Sequence, residues 1–299
     1  MTHQLDGLKL LLRDNLLLDL DDHALRSSKQ EGLVCNFSGM RLASAFQSIF
    51  RPDGEIVGRE ALLRASIYEQ GALTPGTAFE LAKDKLVLFD RLVRTLHLLN
   101  AGSFVMNELL FLNVHPRLLT SVSDHGRIFE QILRYYAIPT SVVVIEIQQA
   151  AIESDAHLTE AVNNYRKLGY KVAVDDFGAT YSGIIRIANP QRRYASLVLD
   201  EDRAELNRVL MLRPDIVKLD SAVIRAAEKT ASAAAVIHGL VNIFHNNGVQ
   251  VVIEGIETAE QLALAQDTGA DFLQGYYLGF PHFLVEPQNP VCHGERLAA

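Results

Sequence analysis

From about residue 41 onward, short apolar runs of strand length alternate with longer stretches of helical period, and this alternation restricts the fold more than any other feature of the chain. The runs are Ala45 to Phe50, Ile56 to Leu63, Leu109 to Val114, Val142 to Ile147, Lys171 to Phe177, Ile216 to Leu219, Val249 to Ile253 and Asp271 to Gln274. Strands joined by crossover helices give this order, and eight of them close a parallel α/β barrel. Gly169, Gly248 and Gly269 each stand just before a run, where a helix ending in a left-handed residue turns into the sheet. Thr77 with Glu80, and Thr258 with Gln261, have capping-box spacing and predict helix starts. One joint differs. Arg51-Pro52-Asp53-Gly54 leaves no room for a crossover helix, so the first two runs should pair antiparallel.

A chain of 299 residues with 48% hydrophobic content can bury one large core, and barrels of this size form single domains. Residues 1–40 read as a helical N-terminal extension. The barrel domain, 41–299, carries an insertion near 190–211, with roughly twenty residues more than one β/α step needs. The apolar stretch from Leu8 to Leu20 is broken by Lys9, Arg13, Asp14 and Asp19, which predicts an amphipathic helix and neither a signal peptide nor a membrane span. A net charge of -8 gives no electrostatic reason to bind long nucleic acid, although a bound metal can reverse the local field for a small phosphate ligand. Cys35 and Cys292 belong to no CxxC or Cys/His array, so neither zinc nor a disulfide framework is expected, and a reducing cytoplasm fits. The sequon Asn36-Phe37-Ser38 reads as a chance match.

Strands inside a barrel are covered on both faces, so ionisable residues near their C-terminal ends stand out. Glu60, Asn113, Glu146, Asp175 with Asp176, Lys218, Glu254 and Gln274 occupy such places on seven runs. Singly, each is ordinarily a side chain emerging into solvent. Converging, they crowd acids, amides and one lysine around a single mouth, where repulsion among the acids calls for cations. An oxygen-only set suits Mg²⁺ or Mn²⁺ rather than zinc.

Glu60-Ala61-Leu62 with Arg64, Asn113, Glu146, Asp175-Asp176-Phe177-Gly178, Lys218 with Asp220, Glu254-Gly255-Ile256-Glu257-Thr258 and Gln274-Gly275-Tyr276 follow one another in this order. Over residues 41–284 the set resembles the EAL-domain cyclic di-GMP phosphodiesterases of bacteria. The resemblance implies a TIM-like (β/α)8 barrel with an antiparallel first strand, in agreement with the short turn. It implies a metal-dependent signalling hydrolase that opens cyclic di-GMP to linear pGpG, probed below, and a homodimer. It also implies Glu60, Asn113, Glu146 and Asp175 as ligands of one Mg²⁺ or Mn²⁺ ion, and Asp175 with Asp176 as ligands of a second. Lys218 and Glu254 then serve the attacking water, Arg64 a phosphate oxygen or guanine edge, Gln47 a guanine, and Gln274 a metal-bound water or the ligand.

Plainer readings stand beside these. Lys218 could simply pair with Asp220 or Asp175, and Glu257 either supports the helix start at Thr258 or acts in the site. His115, Tyr181 and Tyr276 read as packing and loop residues. Using both aspartates requires the chain to bend out of the strand, which Gly178 permits. The chain also departs from the family pattern: Ser48 replaces a proline after Gln47, Thr180 replaces a glycine, and Gln149 replaces a glutamate that steadies the loop after the paired aspartates. Glutamine lacks the charge and brings donors, which predicts a less securely held loop. Gln149 and Thr180 support the alternative of a catalytically weak or inactive cyclic di-GMP receptor or protein-interaction module. A more distant alternative is a Mg²⁺-dependent barrel enzyme abstracting a proton from a carboxylate substrate.

Overall fold

Each of the eight apolar runs is a strand of one closed barrel in the computed structural model, which describes residues 25–69, 71–121, 126–152, 157–179 and 195–284. Strands run in chain order β1 (Leu25–Ser28), β2 (Gly32–Phe37), β3 (Met40–Phe50), β4 (Ile56–Ile67), β5 (Gly71–Leu73), β6 (Leu109–Asn113), β7 (Val143–Gln148), β8 (Lys171–Phe177), β9 (Ile216–Leu219), β10 (Gln250–Ile253), β11 (Phe272–Leu273) and β12 (His282–Phe283). From β4 through β6, β7, β8, β9 and β10 to β11, neighbours are parallel. β3 closes the ring antiparallel to both β4 and β11. The turn that forces this is tight: Arg51 N–H donates to Glu55 O at 2.7 Å, and Gly54 N–H to Arg51 O at 3.0 Å.

The helices are α1 (Pro75–Leu81), α2 (Leu86–Ala101), α3 (Pro116–Ser121), α4 (Arg127–Tyr135), α5 (Gln149–Ile152), α6 (His157–Lys167), α7 (Ala195–Leu212), α8 (Ser221–Ala227), α9 (Ala231–Asn246) and α10 (Ala259–Asp267). They cover the outward faces of the strands in two apolar clusters, one around β3 to β7 and one around β8 to β11. A third cluster fills the barrel itself: Ile49, Phe111, Val144, Ala173, Ile216, Val252 and Phe272 form an apolar floor. Gly169, Gly248 and Gly269 take the left-handed φ that the helix-to-strand joints need, at 88°, 73° and 77°. Among the described residues no helix is long and apolar enough to cross a membrane.

Several expectations are corrected. Where residues 1–40 read as helical, Leu25–Ser28 and Gly32–Phe37 are antiparallel strands that extend the sheet from β3. Asn100 of α2 fastens β2 by accepting from Leu33 N–H at 2.7 Å and donating to Leu33 O at 2.8 Å. The amphipathic helix expected over Leu8 to Leu20 lies outside the described residues. The cap of α1 is Thr74, which accepts from Thr77 N–H, because Pro75 suits the first helical position and moves the start upstream. Glu80 pairs with Lys83 instead. Thr258 does cap α10, accepting from Gln261 N–H. Of the insertion near 190–211, the part from Ala195 belongs to α7.

Candidate active site

Side chains two residues apart on a strand share a face, so the step from each floor residue to the next inward position rises one level in the barrel. That step leads from Phe111 to Asn113, Val144 to Glu146, Ala173 to Asp175, Ile216 to Lys218, Val252 to Glu254 and Phe272 to Gln274. On the antiparallel strand it runs backward, from Ile49 to Gln47, and Glu60 of β4 pairs directly with Gln47. The scattered polar residues of the buried strands are thus one layer above an apolar plug.

Lys218, 1% exposed, stands at the centre. Its Nζ lies 2.7 Å from Glu146 Oε1, 2.8 Å from Glu254 Oε1, 3.0 Å from Asp175 Oδ1 and 3.2 Å from Glu60 Oε2. Asp220 is not a partner of this kind, since its carboxylate caps α8 by accepting from Ala222 N–H. Asn113 bridges two of the acids, Nδ2 donating to Glu60 Oε1 at 3.1 Å and to Glu146 Oε2 at 2.9 Å. Gln274 Nε2 donates to Glu60 Oε2 at 2.8 Å. Buried Gln47 has its Nε2 on Gly279 O at 3.1 Å.

Asp175 and Asp176 can both serve because β8 carries a bulge. Val174 pairs with Val217 and Phe177 with Leu219, three steps on β8 against two on β9. The bend is made at Asp176, whose φ is 58°, and at Gly178, at 93°. Gln149, 4% exposed, meets this turn with its Oε1, which accepts from Gly178 N–H at 2.9 Å. The amide uses its acceptor, so the substitution for glutamate keeps the contact that the turn needs. Thr180 and Tyr181 lie outside the described residues.

The electrostatics of the layer are lopsided. Burial alone would strip the Lys218 proton, but Asp175, Glu146, Glu254 and Glu60 outweigh it and hold its pKa well above normal, so it remains an ammonium. Burial raises Glu60 too, yet Lys218 and hydrogen bonds from Gln274 and Asn113 leave it below the usual value. Burial and the Glu60 charge push Glu146 well up. Glu254 is likewise raised, by burial and then by Asp175 and Glu60 against the pull of Lys218. Burial and Asp175 lift Asp176 to about 6. One ammonium does not neutralise so many acids.

Among the described residues two groups have carboxylate oxygens close enough together to share a cation, Glu60 with Glu146 and Asp175, and Asp175 with Asp176 and Glu254. Glu146 Oε1 and Asp175 Oδ1 face the Lys218 ammonium, whereas Gln274 Oε1 is buried without a hydrogen-bond partner. Beside the layer opens a cavity of about 240 Å³ lined by Glu60, Glu254, Glu257, Gln274, Ser221 and Tyr276, among others. Glu257 lines this cavity, and its backbone N–H donates to Gln261 Oε1 at the helix start. Arg64 stands two pleats beyond Glu60 on β4, half-buried, with Nη1 on Leu63 O at 3.2 Å. His115 is a packing residue, stacked on Phe79 at 4.9 Å. Tyr276 is a loop residue, 52% exposed and stacked on Phe280. Ser221 and Phe280 escaped the sequence reading, as neither stands at a strand end.

The fold has counterparts among known proteins. Residues 11–191 and 198–281 match the family model described as the EAL domain. The probable cyclic di-GMP phosphodiesterase PdeA of Escherichia coli is 25% identical over 174 residues, 58% of this chain and 21% of that protein. The cyclic di-GMP phosphodiesterase RocR of Pseudomonas aeruginosa is 25% identical over 256 residues, 80% of this chain and 59% of that one. The chain therefore spans between about a fifth and three-fifths of the length of these relatives. Among solved structures, Klebsiella pneumoniae BlrP1 in a manganese and cyclic di-GMP complex superposes with a TM-score of 0.67 at 22% identity, over 93% of this chain and 66% of that one. The PaMucR phosphodiesterase in complex with cyclic di-GMP gives 0.62 at 23%, over 81% and 92%. These likenesses are of fold, and with the family match over most of the sequence they establish that the chain belongs to the EAL domain family.

Proposed function

We propose that the chain hydrolyses cyclic di-GMP to linear pGpG with the help of divalent cations, Mg²⁺ or Mn²⁺. The observation that carries this reading is the convergence of Glu60, Glu146, Asp175 and Glu254 on a single buried lysine. The residues fit cations on two counts: acids outnumber the ammonium, and carboxylate oxygens of Glu60, Glu146 and Asp175, and of Asp175, Asp176 and Glu254, lie close enough together to share an ion. Glu60, Asn113, Glu146 and Asp175 would hold one ion, and Asp175 with Asp176 a second. Ions bound there would supply Lewis-acid activation of water and of the phosphodiester.

The chain's own groups do the rest. Lys218, kept charged by its neighbours, offsets the negative charge that grows during attack on phosphorus. Glu254, at the cavity wall and raised in pKa, accepts a proton from the attacking water. The bond from phosphorus to the 3′ oxygen breaks, that oxygen gains a proton, and a linear product with a 5′ phosphate remains. Gln274 offers its free acceptor to the ligand, and Arg64 its guanidinium to a phosphate or guanine edge.

The contact from Gly178 to Gln149 favours this enzyme reading over a non-hydrolytic receptor, because it supports an ordered turn below Asp176. Incubation of purified protein with cyclic di-GMP and Mg²⁺ or Mn²⁺, followed by separation of products, should yield pGpG and lose it in chelator. Bound ligand without pGpG would overturn the enzyme reading in favour of the receptor. The homodimer belongs to the same proposal, and sedimentation as a monomer at micromolar concentration would remove it.

A further inference from the structure

Outside the carboxylate layer, Asp90 and Arg94 form a second buried charge pair, one turn apart on α2 and 1% and 6% exposed. Arg94 Nε donates to Asp90 Oδ2 at 2.8 Å, and its Nη2 meets the same oxygen. Neighbouring helices close over the guanidinium: the Phe129 ring of α4 has its centroid 5.5 Å from Arg94 Cζ, and Tyr165 of α6 hydrogen-bonds to the same side chain. Burial works against the charge, but Asp90 outweighs it and holds the Arg94 pKa above its ordinary value. A buried pair adds little net stability, since desolvation cancels most of the attraction, so its place in the fold calls for another account.

That account lies with the other carboxylate oxygen. Asp90 Oδ1 accepts from the backbone N–H of His115 at 3.3 Å. His115 stands two residues beyond Asn113, where β6 turns into α3. Other donors of the turn are taken locally or by the next strand: Val114 N–H by Glu146 O at 3.2 Å, Arg117 N–H by His115 Nδ1 at 3.3 Å, and Leu118 N–H by His115 O at 2.9 Å. The exit of β6 is thus tied to β7 on one side and to α2 on the other. Asn113 needs such support. It is exposed and is the last residue of β6 paired with β7, yet its Nδ2 must reach Glu60 and Glu146 at 3.1 and 2.9 Å. A shift of the turn would carry the amide off both acids.

Resting on the cation-binding part of the reading above, we propose that Asp90 is a positioning residue for the metal site. By holding the His115 N–H it fixes the exit of β6, and with it Asn113 between Glu60 and Glu146, while Arg94 keeps Asp90 in place. The carboxylate acts through the backbone and touches neither ion nor ligand. What this role needs at position 90 is an acceptor rather than a charge, which separates it from the role of a stabilising ion pair.

Paired substitutions test this without leaving a lone buried charge. Asp90→Leu with Arg94→Met removes both the pair and the acceptor, whereas Asp90→Asn with Arg94→Met removes the charges and keeps an amide oxygen for His115. Mn²⁺ is the probe, with the free ion followed by electron paramagnetic resonance as it is titrated into the whole chain. The leucine pair should raise Kd about tenfold, and the asparagine pair should restore it to within about twofold of the parent, as for groups that orient metal ligands. Equal Kd in all three chains overturns the positioning role, and so does an equal rise in both pairs. Reciprocity adds a measurement on the unsubstituted chain: a contact that favours metal must be favoured by metal, so saturating Mg²⁺ should slow amide exchange at His115. Unchanged exchange overturns the proposal even if the leucine pair fails to fold. A parent chain that binds no Mn²⁺ sinks the cation reading and the positioning role with it. Mn²⁺ binding with the expected Kd pattern but no pGpG sinks hydrolysis alone and leaves Asp90 in its role.

Discussion

The floor of the barrel and the layer above it are built on the same strands, two residues apart, yet they are held by opposite terms. Ile49, Phe111, Val144, Ala173, Ile216, Val252 and Phe272 are apolar and buried together, so burial stabilises them directly. One level higher, Glu60, Glu146, Asp175 and Glu254 surround Lys218, and taking those charges out of water is unfavourable unless each is matched. The floor is a rigid base that fixes strand spacing. The layer uses that rigidity to keep like charges together that would otherwise move apart. If the proposed hydrolysis takes place at the layer, the barrel gives up stability there for chemistry, and substitutions at the two levels should separate the two properties.

The largest effect is expected from Asp175→Asn. Asp175 belongs to both carboxylate groups that can share a cation, so pGpG production should fall by about 10³-fold or more. Measured in chelator, the same variant should melt at the same temperature or higher, because one member of an overcharged cluster has become neutral. A clear drop in melting temperature would break the contrast between the levels. Phe111→Ala tests the other side: a fully buried ring in the floor is lost, and unfolding by denaturant should show a loss of roughly 3–5 kcal/mol. Its turnover per folded molecule should fall far less than that of Asp175→Asn.

The same contrast explains what could be read from the sequence. All eight barrel strands were legible as short apolar runs between helical stretches, and seven of them carry a polar or charged residue at or near the C-terminal end, where a strand covered on both faces is otherwise apolar. The antiparallel start followed from one short turn. β2 escaped because Val34, Cys35 and Phe37 are buried without strict alternation, so no period of two appears. One local signal did exist: Ser38 and Gly39, with φ of 49° and 82°, form a two-residue hairpin turn between Phe37 and Met40. The layer was legible as a residue set, whereas its geometry was not. That Lys218 touches four acids, or that Tyr276 meets Phe280, depends on strand stagger and on the turn from Gly275 to Gly279, which no spacing encodes.

The outer face of β3 supplies a middle case, polar but uncharged. Ser44 Oγ meets His97 Nδ1 of α2 at 2.8 Å, fully behind the barrel wall. Burial, with Arg64 and Arg94 adding to it, pushes the His97 pKa from 6.5 down to about 3. The folded chain therefore keeps this ring neutral, while the unfolded chain takes up a proton below its ordinary value. Stability from this residue is complete above about pH 6.5, declines as the pH falls, and stops declining near pH 3. Between pH 6.5 and 4.5 the loss should be roughly 2–3 kcal/mol. Denaturant unfolding at the two pH values, repeated on His97→Gln, isolates it, since the glutamine chain should lose that much less. An equal loss in both chains would mean that the ring is charged or exposed in the fold.

The smallest effect concerns the turn that ties the two levels to α5. Gln149 Oε1 accepts from Gly178 N–H at 2.9 Å, just after Asp176 enters its left-handed conformation. A glutamate at 149 could make the same contact more strongly, as a charge-assisted hydrogen bond. It would also add a negative group near a turn where burial and Asp175 already lift Asp176 to about 6. The two effects oppose each other, and bound cations offset the second, so Gln149→Glu should give equal or higher kcat, within about threefold, at saturating metal. Gln149→Met keeps the bulk and removes the acceptor, leaving Gly178 N–H buried and unpaired, and should cost about tenfold in kcat. A sharp fall for the glutamate variant would show that the amide's donors, and not its acceptor, hold the turn, and that the uncharged residue at 149 is itself needed to keep the layer's excess of negative charge tolerable.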